Sequence, residues 1–490
     1  MMTREQQVRN SVTYLLPTVI GSALPLLTLP VYTRVLSRED YGAWALCLAY
    51  ATFLTGLANF GLTIGYERSF HEHPGRAERA KLLYSTLAFV TAAFGLCAVV
   101  TWVFRASLSI LITGSASHAA LLFGTMCAHA VMSLKAYFLI TFRNTGLARA
   151  HVWYSIDELV AAAVMGVLFV VVLDSGVIGI PIAQLIASAV VLSALTRRFV
   201  SEMPIALSGV LLKEELAVSY PLTPRILLGV AGNQIDKYLL GLLGTLGGVG
   251  VYAAGQRLAQ IVFALMTALE NVFTPQVYER MFKLGADGGA AVGKYLTPFA
   301  YMSALGALGL GLFAEEAITI LTPPPFHGAI PIAGILCLHY GIMFFGKLPQ
   351  LVYARKTGLI SVLTLVSLST NALLNVVFIR QWGAVGAAAG TLSAGILSVA
   401  LVLVLGQKHY PIRWEYGALT GIFGVLFAGV ILSVWMREAG FAYMPRLGVK
   451  LLMLAIYGAV GAGLGIVSRE NVMMARSALG ARFHLGSVRP

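Results

Sequence analysis

The sequence predicts an all-α polytopic membrane protein of fourteen transmembrane helices: two six-helix lobes related by a pseudo-two-fold along the membrane normal, then a C-terminal helix pair. Three observations carry this expectation. The 490 residues are 58% apolar and only 11% charged, with mean hydropathy +0.81, which leaves too little polar surface for a water-exposed globule of this size. The apolar residues gather into fourteen stretches, each long enough for a hydrocarbon core of about 30 Å. Those stretches repeat once within the chain at a nearly constant offset.

The first stretch, near 11–33, follows Arg4 and Arg9 but outruns the apolar region of a secretory signal and lacks a small-residue cleavage site. It is expected to remain as a helix, with Pro17, Pro25 and Pro30 allowing it to bend. The next five run near 42–66, 82–104, 118–141, 152–173 and 177–196. Lys135 lies six residues from the cytoplasmic end of the fourth, within snorkelling reach of the headgroups, and Asp157 and Glu158 lie similarly shallow in the fifth. Solvation at the helix ends is one account of them; binding of a coupling proton or cation is the other.

The longest link, from Arg197 to Ala217, contains "SGVLLKEELAVS", which reads as a short amphipathic helix on the cytoplasmic face. Beyond it, the seventh and eighth spans, near 219–243 and 250–273, hold most of the intramembrane charge, and Pro221 and Pro224 open the seventh. An ionisable residue within a span costs about 2.5–3.5 kcal/mol on insertion scales, so it faces a partner or a cavity. Arg225 and Asp236 are three helical turns apart and share one face. In an antiparallel hairpin facing residues have a constant index sum, which pairs Arg225 with Glu270 and Asp236 with Arg257. The alternative use of these charges, with Lys237, is to line a cavity for an anionic cargo.

Spans nine to twelve are expected near 295–321, 328–346, 358–379 and 385–405. The eleventh carries Ser361, Thr364, Asn371 and Asn375, a polar stripe that must face protein or water, through interhelical hydrogen bonds or through cargo. The last two, near 417–436 and 447–467, have no counterpart in the repeat. In that repeat Gly42 matches Gly250 at an offset of 208, Gly176 matches Gly383 and Gly179 matches Gly386 at 207, and "NTGL" from 144 answers "KTGL" from 356 at 212. Six spans separate equivalents, so both halves have the same topology. The expected division is residues 1–213, 214–410 and 411–490.

Of the 34 Lys and Arg residues, 23 fall in loops on one side of this threading and seven on the other, which makes the first side, with both termini, cytoplasmic. The net charge of +13 sits in short loops beside spans, where anionic headgroups attract it, so nucleic acid is not an expected partner. Cys47, Cys97, Cys127 and Cys337 lie in apolar stretches without metal-ligand spacing. Gly288 to Lys294 approaches a phosphate-binding loop but continues into Tyr295, not Ser or Thr. No metal or other cofactor is expected.

Four segments, "LPVYTRVLSREDYGAWAL" (29–46), "NFGLTIGYERSF" (59–70), "NQIDKYLLGLLGTLGGVGVYAAGQRL" (233–258) and "NALLNVVFIRQWGAVGAAAGTLSAG" (371–395), resemble the polysaccharide-exporter branch of the multidrug/oligosaccharidyl-lipid/polysaccharide exporter superfamily. The resemblance implies a flippase, not an enzyme, that moves undecaprenyl-diphosphate-linked oligosaccharide repeats across a bacterial inner membrane for O-antigen or exopolysaccharide synthesis, by alternating access. It implies a lipid bilayer setting and partnership with a polysaccharide polymerase and chain-length machinery. It carries Arg68 and the pair Asp236–Lys237 over as cavity positions; depth and facing add Lys135, Arg225, Arg257, Asn371 and Asn375, with Asp157, Glu158 and Asp236 as ion-coupling candidates. Two other classes stand beside it: an ion-coupled multidrug antiporter, disfavoured because residues 11–33 contain no Asp or Glu, and a membrane glycan polymerase, for which Glu315, Glu316 and the "TPPPFHG" turn are the only outer-face candidates.

Overall fold

The computed structural model describes residues 4–73 and 75–466; the tail from Ser468 to Pro490 and the side chains of Arg4 and Arg9 lie outside what is described. The helices are α1 (Arg4–Val35), α2 (Arg38–Ala58), α3 (Leu62–Glu72), α4 (Arg76–Val103), α5 (Arg105–Thr113), α6 (Ala119–Asn144), α7 (Ala148–Val167), α8 (Gly179–Glu202) and α9 (Gly209–Ser219). They continue as α10 (Thr223–Leu243), α11 (Leu246–Leu284), α12 (Gly289–Leu312), α13 (Ala314–Leu321), α14 (Ala329–Ile342), α15 (Gln350–Tyr353), α16 (Thr357–His409), α17 (Tyr416–Glu438) and α18 (Tyr443–Gly463). No strand occurs among the described residues, as a lipid environment requires of a chain that does not close a barrel.

Among the described residues, eleven helices are long and apolar enough to cross a membrane, which makes this a multi-pass membrane protein. The expected first and seventh spans lie on α1 and α10, outside those eleven, and the expected eleventh and twelfth share α16. Large apolar side chains such as Leu96, Leu111, Val190 and Phe282 project outward, a surface suited to lipid tails and unsuited to water.

Local sequence explains the breaks. Ser37 caps α2 reciprocally with Asp40. The expected second span is two helices, because Phe60 and Gly61 take positive φ (46° and 71°) where the chain passes the Ser219 carbonyl. The repeated glycines have matching roles. Gly176 (φ 60°) and Gly383 (φ 54°) both turn the chain through the left-handed region, and Gly383 divides α16 into two arms. Gly386 then rests on the Phe378 carbonyl with no room for a side chain, and a methyl group on Gly179 would meet Phe169 at a tight 3.0 Å. The third repeated site differs: Gly146 is left-handed (φ 76°), whereas Gly358 lies in the first turn of α16 and Arg355 (φ 56°) makes the turn.

Gly42 and Gly250 meet each other. A methyl group on Gly42 would overlap the Leu246 carbonyl and lie 3.0 Å from the Gly250 nitrogen; one on Gly250 would overlap the Arg38 carbonyl and lie 3.0 Å from the Gly42 nitrogen. Backbones can cross this closely only where both residues lack side chains.

Packing divides the chain into two compact units, Met1–Arg257 with Ile318–Ala329 and Leu368–Gly390, and Leu258–Ala317 with Ile330–Ser367 and Thr391–Pro490. The first is filled by Tyr66, Phe70, Tyr137, Phe138, Phe142 and Phe199, with Phe138 and Phe199 edge to face at 4.9 Å. The second centres on Met266, Phe273, Met281, Phe344 and Tyr410.

Buried charge in the first unit corrects the expectation of headgroup solvation for Lys135 and Glu158. Their side chains are 8% and 3% exposed and pair directly. Ser188 Oγ donates to the same carboxylate, and Gln184 Nε2 approaches it at 3.3 Å, so one polar cluster ties α6, α7 and α8. Small residues of α8, Ala183, Ala187 and Ser188, let it lie close to α7; Asp157, turned about 100° from Glu158 around α7, is exposed.

Candidate functional site

The site is built where α10, the start of α11 and the first arm of α16 come together in the first unit. Asn233 to Lys237 is the polar segment of α10, and successive residues of a helix point about 100° apart, so Asp236 and Lys237 face different neighbours. Both are buried. The Asp236 carboxylate accepts from Tyr252 Oη at 2.9 Å and from Asn375 Nδ2 at 3.1 Å. Asn375 Nδ2 also lies 2.9 Å from the Asn371 carbonyl and 3.1 Å from Asn371 Oδ1, so the expected polar stripe of the eleventh span is real at these two positions. Gly390 on the second arm of α16 lets that arm lie against the Asn375 backbone, which fixes the asparagine beneath the carboxylate.

The cations are arranged separately. Lys237 Nζ donates to Gln234 Oε1 at 3.0 Å. The Arg257 guanidinium lies over the Trp44 ring, 5.4 Å from its centroid, beside the Tyr41 hydroxyl, and it acts electrostatically on Lys237. Two cations and one carboxylate share this region, and neutral donors from Tyr252 and Asn375 satisfy that carboxylate. Such a surface can take up an anion, because two cations face a single carboxylate.

The paired-hairpin expectation fails at Glu270, whose partner is Lys347 at 3.2 Å; Arg225 is exposed near the start of α10. The index-sum argument presumes straight neighbouring helices, whereas α11 runs 39 residues and continues well beyond the end of α10. The structure brings together Asp236, Lys237, Arg257, Asn371 and Asn375. It leaves apart Arg68, which pairs with Glu72 at 2.8 Å on the exposed end of α3, and the Lys135–Glu158 cluster.

Trp44, Tyr41 and Tyr252 were not singled out by sequence reasoning, although Trp44 and Tyr252 sit at repeated positions beside the matched glycines. The outer-face acids Glu315 and Glu316 are occupied: Lys450 Nζ lies 3.0 Å from Glu315 Oε2 and 2.7 Å from Glu316 Oε1, Arg446 pairs with Glu315, and Tyr443 Oη reaches Glu316 at 3.2 Å.

A family described as polysaccharide biosynthesis protein matches residues 7–275. Among curated proteins, the chain is 27% identical over 340 residues to the succinoglycan biosynthesis transport protein ExoT of Rhizobium meliloti, covering 65% of this chain and 63% of that one. It is 25% identical over 238 residues to a probable low-salt glycan biosynthesis flippase, Agl15, of Haloferax volcanii, covering 46% and 47%. These matches thus span about half to under two thirds of the relatives' lengths. Among solved structures, the lipid II flippase MurJ in an inward closed conformation superposes with TM-score 0.69 at 14% identity over 92% of this chain and 98% of that one. The multidrug transporter DinF-BH superposes with TM-score 0.56 at 17% identity, over 83% and 95%. At these identities the likeness is one of fold.

Proposed function

The chain belongs to the polysaccharide biosynthesis protein family, and from that premise we propose that it flips a lipid-linked oligosaccharide, carried on undecaprenyl diphosphate, from the cytoplasmic to the periplasmic leaflet of a bacterial inner membrane. The observation that carries the reading is the cationic surface of buried Lys237 and half-buried Arg257 around Asp236, which accepts hydrogen bonds from Tyr252 and Asn375. A diphosphate leaving water needs cations and donors to replace its hydration shell, and guanidinium and ammonium groups supply them. Asn371 and Asn375 add amides of the kind that bind sugar hydroxyls. Arg68 and Arg225, exposed near the ends of α3 and α10, are proposed to attract the headgroup before it enters. Fourteen crossings with both termini cytoplasmic, and alternating access between two halves of like topology, complete the proposal.

In a deletion strain with polymerisation blocked, lectin access to intact spheroplasts is compared with access to inverted vesicles. Accumulation of the lipid-linked repeat on the cytoplasmic face is the expected result. Normal periplasmic exposure would end the flippase reading and direct attention to polymerisation or to efflux.

A further inference from the structure

The helix α9, between α8 and α10, is packed inside out for a helix at a membrane surface. Its buried positions are Glu215 and Ser219, while Val210, Val218 and the neighbouring Leu207 and Tyr220 are exposed. Glu215 is 1% exposed, tucked against α3 beside Gly65, where a side chain on that glycine would strike both Ser219 and Glu215. One carboxyl oxygen, Oε2, lies 2.6 Å from Thr86 Oγ1 on α4; the other, Oε1, has no hydrogen-bond partner among the described residues.

Thr86 and the burial of the carboxyl together bear on the state of the acid. Thr86 Oγ1 is also 2.7 Å from the Leu82 carbonyl oxygen. A hydroxyl owns one hydrogen, and neither a carbonyl nor a carboxylate has one to give. With Glu215 charged, Thr86 must share its one hydrogen between two acceptors; with Glu215 neutral, the acid donates to Thr86 and Thr86 donates fully to Leu82. A charged carboxylate would also leave Oε1 buried and unsolvated, a far larger penalty than for a neutral carbonyl oxygen. We propose that Glu215 is a proton-binding site whose occupancy holds α9 docked on α3 and α4.

The surroundings agree. The titratable groups facing Glu215 are Tyr66 from α3 and Tyr137 from α6, with Arg79 of α4 acting on Tyr66. The remaining charges of α3, α4 and α9 are turned elsewhere: Glu67 pairs with Arg143, Arg68 with Glu72, Arg79 lies over the Phe70 ring, and Arg76, Glu78, Lys81, Lys213 and Glu214 are exposed. No cation lies within ion-pair distance among the described residues, and burial pushes the Glu215 carboxyl up to about 7. A second such contact serves as an internal control. Thr297, 211 residues after Thr86, lies 3.2 Å from the Gly293 carbonyl oxygen and contacts Glu415, but Glu415 is exposed and water can solvate its charge.

Linkage sets the sign. A docked acid with its pKa raised to about 7, against about 4.5 when released, favours docking fully below the lower value. The preference is lost as pH rises through the upper value and is flat beyond it. The test is hydrogen–deuterium exchange of the α9 peptides in the full-length protein in lipid nanodiscs, corrected for intrinsic exchange, from pH 5.5 to 8.5. The opening constant is expected to rise about tenfold between pH 5.5 and 6.5 and to level off above about 7. Glu215→Gln should remove the slope and keep α9 protected, and Glu415→Gln should leave the wild-type profile unchanged. A flat wild-type profile, or a slope that survives in Glu215→Gln, overturns the proposal. Should that variant not accumulate, the wild-type slope and Thr86→Val decide: an unmoved levelling point in Thr86→Val is equally fatal. The inference holds whatever the cargo, so the leaflet assay and this one fail independently.

Discussion

Lys135 and Arg257 are both cations within apolar stretches, and their neighbours give them different work. Lys135 is consumed by Glu158, so Lys135→Met strands a buried carboxylate and should cost about 3–5 kcal/mol, read as a lowered melting temperature of the purified protein. Adding Glu158→Gln should recover most of that loss, because no uncompensated charge then remains. Arg257 rests on an aromatic ring, so Arg257→Ala should leave the melting temperature within a few degrees while lowering flipping at least tenfold, and Arg257→Lys should restore only part. Adding Asp236→Ala should not rescue Arg257→Ala, since Tyr252 and Asn375 hold that carboxylate; rescue would reinstate a structural pair. That these residues lie within apolar stretches was legible. Partners were not: Asn375 reaches Asp236 from 139 positions away, a pairing set by how α10 and α16 pack and not by any local pattern.

At the scale of elements, the repeat was the most legible signal, and the backbone explains why. Glycine is retained where φ is positive or where two backbones cross, and these needs recur at Gly176 and Gly383 and at Gly42 and Gly250. The inverted face of α9 was not legible, because amphipathic spacing identifies a polar face without saying whether water or protein lies against it. The crossing of α2 and α11 can be tested directly. A Cβ placed on Gly247 would lie 3.6 Å from that of Arg38, within the range for a disulfide. In a background without the native cysteines, Arg38→Cys with Gly247→Cys should therefore oxidise to a cross-linked species that changes mobility after proteolysis between the two sites. Adding Gly42→Val should suppress it, and unchanged cross-linking would mean the crossing does not depend on the glycine.

For the whole molecule, the asymmetry of Lys and Arg makes a definite topological statement. Ser117→Cys, in the exposed turn before α6, should react with an impermeant maleimide in intact spheroplasts, and Arg355→Cys, in the exposed turn before α16, only after permeabilisation; the reverse pattern would invert the protein. Composition made the membrane class and the helical fold readable, and hydropathy also placed the break between the expected eleventh and twelfth spans, which Gly383 makes with a positive φ of 54°. The Gly42–Gly250 contact also sets an order in time. The two residues are 208 positions apart, and at about 5–20 residues per second the ribosome needs roughly 10–40 s to deliver the second after the first. During that interval the docking face of α2 waits in the bilayer for a partner not yet made. A bare glycine waits harmlessly there, since its backbone is already bonded within the helix and it offers no polar side chain to recruit a wrong neighbour.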